Sequence, residues 1–188
     1  KGSVTLDETF IGQESFGGRV RHLVLPSLRV ALVLNARGRS GEGESRMRIG
    51  EALDRASFAA LASEGVPYVG MLDVEVVHFR AGDVLVRLPY RELLLRPGGT
   101  ICGPAIMALA DIALYGLALS HVGRVPLAVT TDLTVHFLAK PHPGHLLGRA
   151  RTLKAGKRLI VGECAVEAEP DAQPVAHVVG TYSVPPAG

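Results

Sequence analysis

The order of apolar and polar residues predicts a protein that mixes helices with strands. Apolar side chains recur every three or four residues over 52–62, and turn-forming residues follow at Gly65 and Pro67, which predicts a short amphipathic helix. Later segments alternate apolar and polar residues with a period of two, as half-buried strands do. These extended runs cover residues 72–79, 84–88, 127–138, 146–153, 159–169 and 175–184.

One apolar segment, residues 101–119, is long enough to be tested as a membrane span, since about 18 apolar residues cross a bilayer. It begins with Gly103 and Pro104 and carries Asp111 at its centre, where a carboxylate is costly in a bilayer. The surrounding two-faced strands favour an antiparallel sheet. We therefore predict an α+β fold in which an antiparallel sheet wraps around one long central apolar helix, with no membrane partner.

Strict alternation over 127–137 predicts which side chains share a face of that strand. Leu133 and Phe137 fall on one face, and Thr130 and Asp132 fall on the other. The pattern therefore predicts that Thr130 and Leu133 point to opposite sides of the sheet.

Composition limits the partners that this chain can have. Apolar residues make up 47% of the 188 residues and charged residues 20%, which is typical of a globular protein. Aromatic residues reach only 5%, whereas binding of single-stranded nucleic acid needs several stacking side chains. The net charge is +2, and residues 47–188 carry thirteen basic and thirteen acidic side chains, which provide no field for a polyanion. We expect no nucleic-acid partner.

Residues 1–46 differ in character from the regular pattern that follows. Residues 37–46 are rich in Gly, Ser and Arg, as linkers are. We interpret 1–46 as an N-terminal extension, whether a partner-binding arm, an upstream translated region or residues added in cloning, and 47–188 as the main domain. Two cysteines are too few for a disulfide framework, and the chain does not open on a clean signal peptide. The sequence thus predicts a cytoplasmic protein.

Asp111 is the most informative residue, because an ionised carboxylate in an apolar helix needs partners. It is either hydrogen-bonded as part of the structure or it lines a cavity where its basicity is used. Gly103 and Pro104 mark the start of the helix, where free backbone amides suit an oxyanion. The seven residues from Pro104 to Asp111 span roughly 10 Å, which leaves room for an acyl group and an attacking water.

The segment from Gly98 to Asp111 reads Gly-Gly-Thr-Ile-Cys-Gly-Pro-Ala-Ile-Met-Ala-Leu-Ala-Asp. It resembles the helix signature of hotdog-fold acyl-CoA thioesterases of the phenylacetate-degradation type, in which a His-Gly-Gly run precedes a helical Leu-Ala-Asp. The likeness continues through residues 129–138, 140–141, 153–157 and 176–181. It covers most of 68–186 and none of 1–46.

The resemblance implies a hotdog fold and hydrolysis of a small or medium acyl-CoA without a cofactor. It makes Asp111 the base or the nucleophile and assigns the substrate carbonyl oxygen to the Gly103 amide. Thr130 would then help to place the water, with Thr131 as the fallback. The resemblance also implies a homodimer or homotetramer in which Asp111 of one subunit faces the strand threonines of another.

Three positions depart from the family signature. Cys102 stands where relatives carry the His, Pro104 replaces the second glycine, and Arg96 stands where some relatives carry Asn. We keep Cys102 and Arg96 as substrate-binding candidates, although a free cysteine is more often a small buried filler. The altered entrance and the extension at 1–46 leave a second function open, a non-catalytic acyl-CoA-binding module. A hotdog dehydratase is disfavoured, because an Asp and His pair is not evident.

Basic and imidazole side chains supply the remaining candidates. Lys157 and Arg158 lie in a turn and are candidates for contact with the phosphates of CoA, with a solvated turn as the alternative. His142 and His145 have a spacing that could bind a metal, but they share a loop without a third ligand. We therefore predict no metal site.

Overall fold

The structure, a computed structural model, describes residues 51–186, and the predicted extension at 1–46 lies outside the described residues. The described residues form three helices, eight strands and a short 3-10 turn at Glu92–Leu94. In chain order the elements are α1 Arg55–Gly65, α2 Pro67–Leu72, β1 Glu75–Arg80, β2 Asp83–Leu88, β3 Leu95–Arg96, β4 Thr100–Ile101, α3 Gly103–Val122, β5 Val129–Phe137, β6 Leu146–Ala155, β7 Leu159–Ala168 and β8 Gln173–Ser183.

Six of these strands form one antiparallel sheet in the order β1-β2-β6-β7-β8-β5. Strands β3 and β4 make a separate small hairpin just before α3. Helix α3 packs across the large sheet and contacts β2, β6, β7 and β8 along its length. The predicted architecture, an antiparallel sheet around one long apolar helix, is confirmed and is the hotdog fold.

Helix α3 is an apolar helix of 20 residues, so by length and composition it could cross a membrane. However, 67% of its most apolar window is buried inside the protein. Small residues on the sheet permit this close packing: a Cβ added at Gly162 of β7 would overlap Leu117 of α3. The helix therefore forms the core around which the sheet bends.

The segment after α1 differs from the prediction. Pro67 was expected to end the first helix, but it occupies the first turn of the separate helix α2, a position that proline tolerates because the missing N–H is unpaired there anyway. Asp73 ends α2 in the left-handed conformation, with φ of 53°. The predicted strand over 72–79 was therefore wrong at its start, and β1 begins at Glu75.

A β-bulge corrects the predicted faces of β5. The pairing of β5 with β8 shifts register between Thr130 and Asp132, and such a bulge reverses the alternation of side chains beyond it. Leu133 lies on the helix side, where its Cδ1 approaches Gly180 together with a side chain of α3. Thr130 also points to the helix side, since it contacts Asp111. The prediction that Thr130 and Leu133 occupy opposite faces was wrong.

Candidate active site

Two hydroxyl groups hold the carboxylate of Asp111. The Thr130 hydroxyl donates to Asp111 Oδ1 over 2.8 Å, and the Tyr182 hydroxyl donates to the same oxygen over 2.7 Å. The resemblance implied that Asp111 faces the strand threonines of another subunit. Within one chain, Thr130 reaches Asp111 once the bulge in β5 has turned it inward. The contact of Asp111 with threonines of another subunit stays a prediction.

The second oxygen of Asp111 is unoccupied by protein donors. Within residues 51–186, Oδ2 makes no hydrogen bond, and the residue is partly exposed to solvent. The Asp111 carboxylate is therefore neither fully buried in the core nor fully occupied by hydrogen bonds to the backbone. The arrangement presents one oriented oxygen that is able to accept a proton from water or to attack a carbonyl carbon.

The start of α3 provides a backbone donor. The Gly103 N–H has no acceptor within the described part of the chain, whereas Ala105 and Ile106 both donate to the Cys102 carbonyl oxygen. A Cβ at Gly103 would lie 3.4 Å from the tip of the Phe137 ring, so a larger residue would crowd this end of the helix. Gly103 and Asp111 are eight residues apart, about 12 Å along the helix axis.

Arg96 ends strand β3 of the small hairpin, and Cys102 follows strand β4. Cys102 is a partly buried free thiol that precedes α3, and its N–H donates to the Leu94 carbonyl over 2.8 Å. Arg96 is exposed, and its Nε donates to Thr100 Oγ1 over 3.0 Å. The hairpin turns through Gly98 and Gly99, whose φ values of 95° and 69° favour glycine. The structure thus places both candidates near the helix start and brings neither into contact with Asp111.

The fallback threonine is not part of this cluster. The Thr131 hydroxyl donates to the backbone carbonyl of Thr181 over 3.1 Å, and it makes no contact with Asp111. The bulge explains the difference, since it turns Thr130 toward the helix and leaves Thr131 beside the neighbouring strand.

Lys157 and Arg158 lie at the Asp111 end of the sheet. They occupy the turn between β6 and β7, and the Arg158 carbonyl accepts from the Val184 N–H over 2.7 Å. The register explains their position, because Tyr182 pairs with Thr130 on one side and with Ile160 on the other. Neither basic side chain forms an ion pair with a described residue.

Sequence reasoning missed Tyr182. This residue is only 4% exposed, and burial together with the charge of Asp111 raises the pKa of its phenol well above the usual range. Tyr182 therefore stays protonated and remains a donor. A signal was available, because a buried tyrosine hydroxyl usually finds a partner, but the sequence does not show which strand lies beside Asp111.

One of the two histidines in the loop before β6 has a backbone partner. His145 Nδ1 accepts from the Tyr90 N–H over 2.9 Å, which ties the loop to the end of β2. Between residues 51 and 186, no group of three or more His, Cys, Asp or Glu side chains has an arrangement that could hold a metal ion.

Three comparisons bear on the family. The profile of the thioesterase superfamily matches residues 98–175. A candidate esterase from Saccharolobus solfataricus is 31% identical over 113 residues, which cover 60% of this chain and 79% of that protein. The structure of a candidate thioesterase from Silicibacter sp. TM1040 is 38% identical, covers 76% of this chain and 97% of that one, and superposes with a TM-score of 0.66.

The fold has a further relative in the PaaI protein of the phenylacetic acid degradation operon of E. coli. That structure is 19% identical, covers 71% of this chain and 94% of the other, and has a TM-score of 0.63. At this identity the likeness concerns the fold alone. The profile match and the 38% identical structure show that the chain belongs to the thioesterase superfamily, and the PaaI structure shares its hotdog fold.

Proposed function

We propose that this protein hydrolyses the thioester bond of small or medium acyl-CoA molecules, with Asp111 as the reacting carboxylate. The observation that carries the proposal is the state of Asp111, which lies in an apolar helix, is held through one oxygen by two hydroxyl donors and exposes the other. A purely structural acid would be expected to spend both oxygens on protein donors.

The chemistry follows from the free Oδ2 atom. As a base, Oδ2 takes a proton from water while the water oxygen attacks the thioester carbonyl carbon. As a nucleophile, Oδ2 attacks that carbon itself, and water then cleaves the resulting anhydride. In both cases the carbon–sulfur bond breaks, and the products are a carboxylic acid and the thiol of CoA. The Thr130 hydroxyl, 2.8 Å from Oδ1, is placed to orient the carboxylate in either route.

The proposed donor to the oxyanion is the Gly103 amide of a second copy, because about 12 Å along α3 separates this amide from Asp111 of the same chain, which is too far for both to act on one carbonyl group. A positioned donor of this kind contributes about 2.7–4 kcal/mol to stabilisation of the transition state. The helix dipole adds partial positive charge at the same end, and Pro104 brings no N–H of its own. The proposed neighbours of the acyl and pantetheine groups are Arg96 in the hairpin before α3 and Cys102, which follows that hairpin.

The function is tested with a panel of acyl-CoA substrates of different chain length. A thiol reagent would also react with Cys102, which is partly buried, whereas burial raises the pKa of Cys164 to about 12 and keeps that thiol inert. Hydrolysis is therefore followed by loss of the thioester absorbance, with the D111N variant as the baseline. If the wild type hydrolyses no acyl-CoA of the panel faster than D111N does, the proposal is overturned. Saturable acyl-CoA binding without turnover would select the binding module instead.

Replacing both Lys157 and Arg158 by Ala is expected to raise KM for acyl-CoA several-fold and to leave kcat unchanged. These two cations lie at the Asp111 end of the sheet without acidic partners among the described residues, so their charge is available for the nucleotide phosphates. The effect should weaken at high salt, because exposed charges are screened.

Two controls make this measurement specific. An acyl thioester of a small thiol, which lacks the nucleotide, should show the same KM with both proteins. Arg80 of β1, an exposed cation on the far edge strand, provides the matched variant, and R80A should leave KM for acyl-CoA unchanged. A rise in KM for the small thioester, or an equal rise in R80A, would refute the phosphate contact.

We also propose that the protein is a homodimer joined through the edge strand β5. Among the strands of residues 51–186, β5 pairs only with β8, and it exposes Val129 by 56% and Phe137 by 53%. Free edges with apolar side chains favour strand pairing with a second copy. Both described cysteines are free thiols, which agrees with a reducing compartment such as the cytoplasm.

Light scattering should give a mass about twice the 19.8 kDa of one chain, or four times that value if two dimers associate. V129K should shift the mass toward that of a monomer, because it places charge on the paired edge. L93K changes a residue that is 69% exposed and lies outside the sheet, so its mass should stay that of the wild type. A monomeric wild type would contradict the dimer.

A further inference from the structure

The hydroxyl of Tyr182 lies within hydrogen-bond distance of two acceptor atoms of Asp111. It lies 2.7 Å from Oδ1 of the carboxylate and 3.1 Å from the backbone carbonyl oxygen of the same residue. One donor shared between these two acceptors fixes the carboxylate relative to its own main chain. The Thr130 hydroxyl approaches the same Oδ1 from β5. Both donors therefore act on one oxygen and leave the other for chemistry.

The core fixes the position of Tyr182 itself. Its ring lies 5.8 Å from that of Tyr115, and Tyr115 lies 6.1 Å from Phe58, measured between ring centroids. Main-chain pairing of β8 with β5 and β7 holds the backbone on both sides. Burial keeps the phenol in its protonated form, since the pKa of Tyr182 is raised. Tyr182 thus brings a rigid, permanent donor to Asp111.

We propose that Tyr182 is a positioning residue for the hydrolytic reaction. Its hydrogen bond to Oδ1 orients the Asp111 carboxylate so that Oδ2 faces the substrate. This inference rests on the proposed function of Asp111 and extends it to a residue on another element. The ionisable side chains on the described elements around the pair are Tyr115 of α3, Asp132 at the bulge of β5, and Lys157 and Arg158 in the turn between β6 and β7.

The test is Y182F, which keeps the ring and removes only the donor. We expect kcat to fall about tenfold or more, since hydrogen bonds to charged groups are among the stronger ones, while KM changes by less than about twofold. The loss should fall on kcat and not on KM, because the reacting carboxylate loses a donor that orients it while the contacts to the substrate stay.

The matched control is Y115F, because the Tyr115 hydroxyl donates to the Pro126 carbonyl and not to Asp111. Its kcat and KM should both stay within about twofold of the wild type. A fall in kcat confined to Y182F supports the inference. A wild-type kcat in Y182F, or equal losses in both variants, would overturn it, since a general packing effect would act through either tyrosine.

A second readout separates this inference from the proposed function. The carbon-13 resonance of the Asp111 carboxyl group is assigned by its loss in D111N and compared at one pH in the wild type and both tyrosine variants. Its chemical shift should change in Y182F alone, because the hydrogen bond from Tyr182 to Oδ1 is lost, whether or not any acyl-CoA is hydrolysed. If turnover is absent and the chemical shift still changes, the proposed function fails while the hydrogen bond between Tyr182 and Asp111 holds. An unchanged chemical shift in Y182F rejects the role of Tyr182.

Discussion

Replacement of Asp111 by Asn should lower kcat/KM about 10²- to 10⁴-fold and leave the fold intact, the range expected when a general base is removed. Asn has the same shape and keeps an oxygen that accepts from Thr130 and Tyr182. It lacks the negative charge and basicity of Oδ2, so neither proton abstraction nor nucleophilic attack remains. Initial rates over a range of acyl-CoA concentrations give kcat/KM, and thermal unfolding of the variant shows whether the fold is intact.

The matched control for this substitution is D132N. Asp132 is an exposed carboxylate on β5, two residues from Thr130, and it makes no hydrogen bond or ion pair with a described residue. The same change in charge at this position should leave kcat/KM within about twofold of the wild type. Retention of more than about a tenth of the activity in D111N, or an equal loss in D132N, would exclude Asp111 as the reacting group.

Truncation of Leu117 to Ala should destabilise the protein by about 2–5 kcal/mol. Leu117 is 1% exposed and packs from α3 against β7, so its removal leaves a cavity between the helix and the sheet. L93A removes the same atoms from a side chain that is 69% exposed, and it should change the free energy of unfolding by less than about 0.5 kcal/mol. Chemical denaturation of both variants measures the difference.

A double-mutant cycle tests the packing partner. G162A alone should destabilise the fold by about 1–3 kcal/mol, because the new Cβ would overlap Leu117 and lie 3.0 Å from Leu114. In the combination of L117A with G162A, the added methyl group enters space that the leucine has left. The cost of the double variant should therefore be smaller than the sum of the two single costs. Strict additivity would mean that the two residues do not share this contact.

The spacing of apolar residues predicted the elements in which that spacing stays regular from one end to the other. The apolar run after Gly103 and Pro104 became α3, and the alternating runs from 146 onward became β6, β7 and β8 with ends within two residues. The approximate place of Asp111, in a helix that packs against a sheet, also followed from its apolar neighbours. The predicted family rested on the resemblance of the segment from Gly98 to Asp111, and of later segments, to a known signature, and the comparisons confirm the thioesterase superfamily.

The sequence by itself determined the long helix, the strands and the carboxylate at the helix centre, because the spacing of apolar residues records which face of each element is buried. The tertiary structure decided the partners of that carboxylate. A bulge turned Thr130 toward α3, and the pairing of β8 with β5 brought Tyr182 to the same oxygen. Contacts between residues 71 positions apart depend on strand order and register, and these are settled only when the whole sheet closes around the helix.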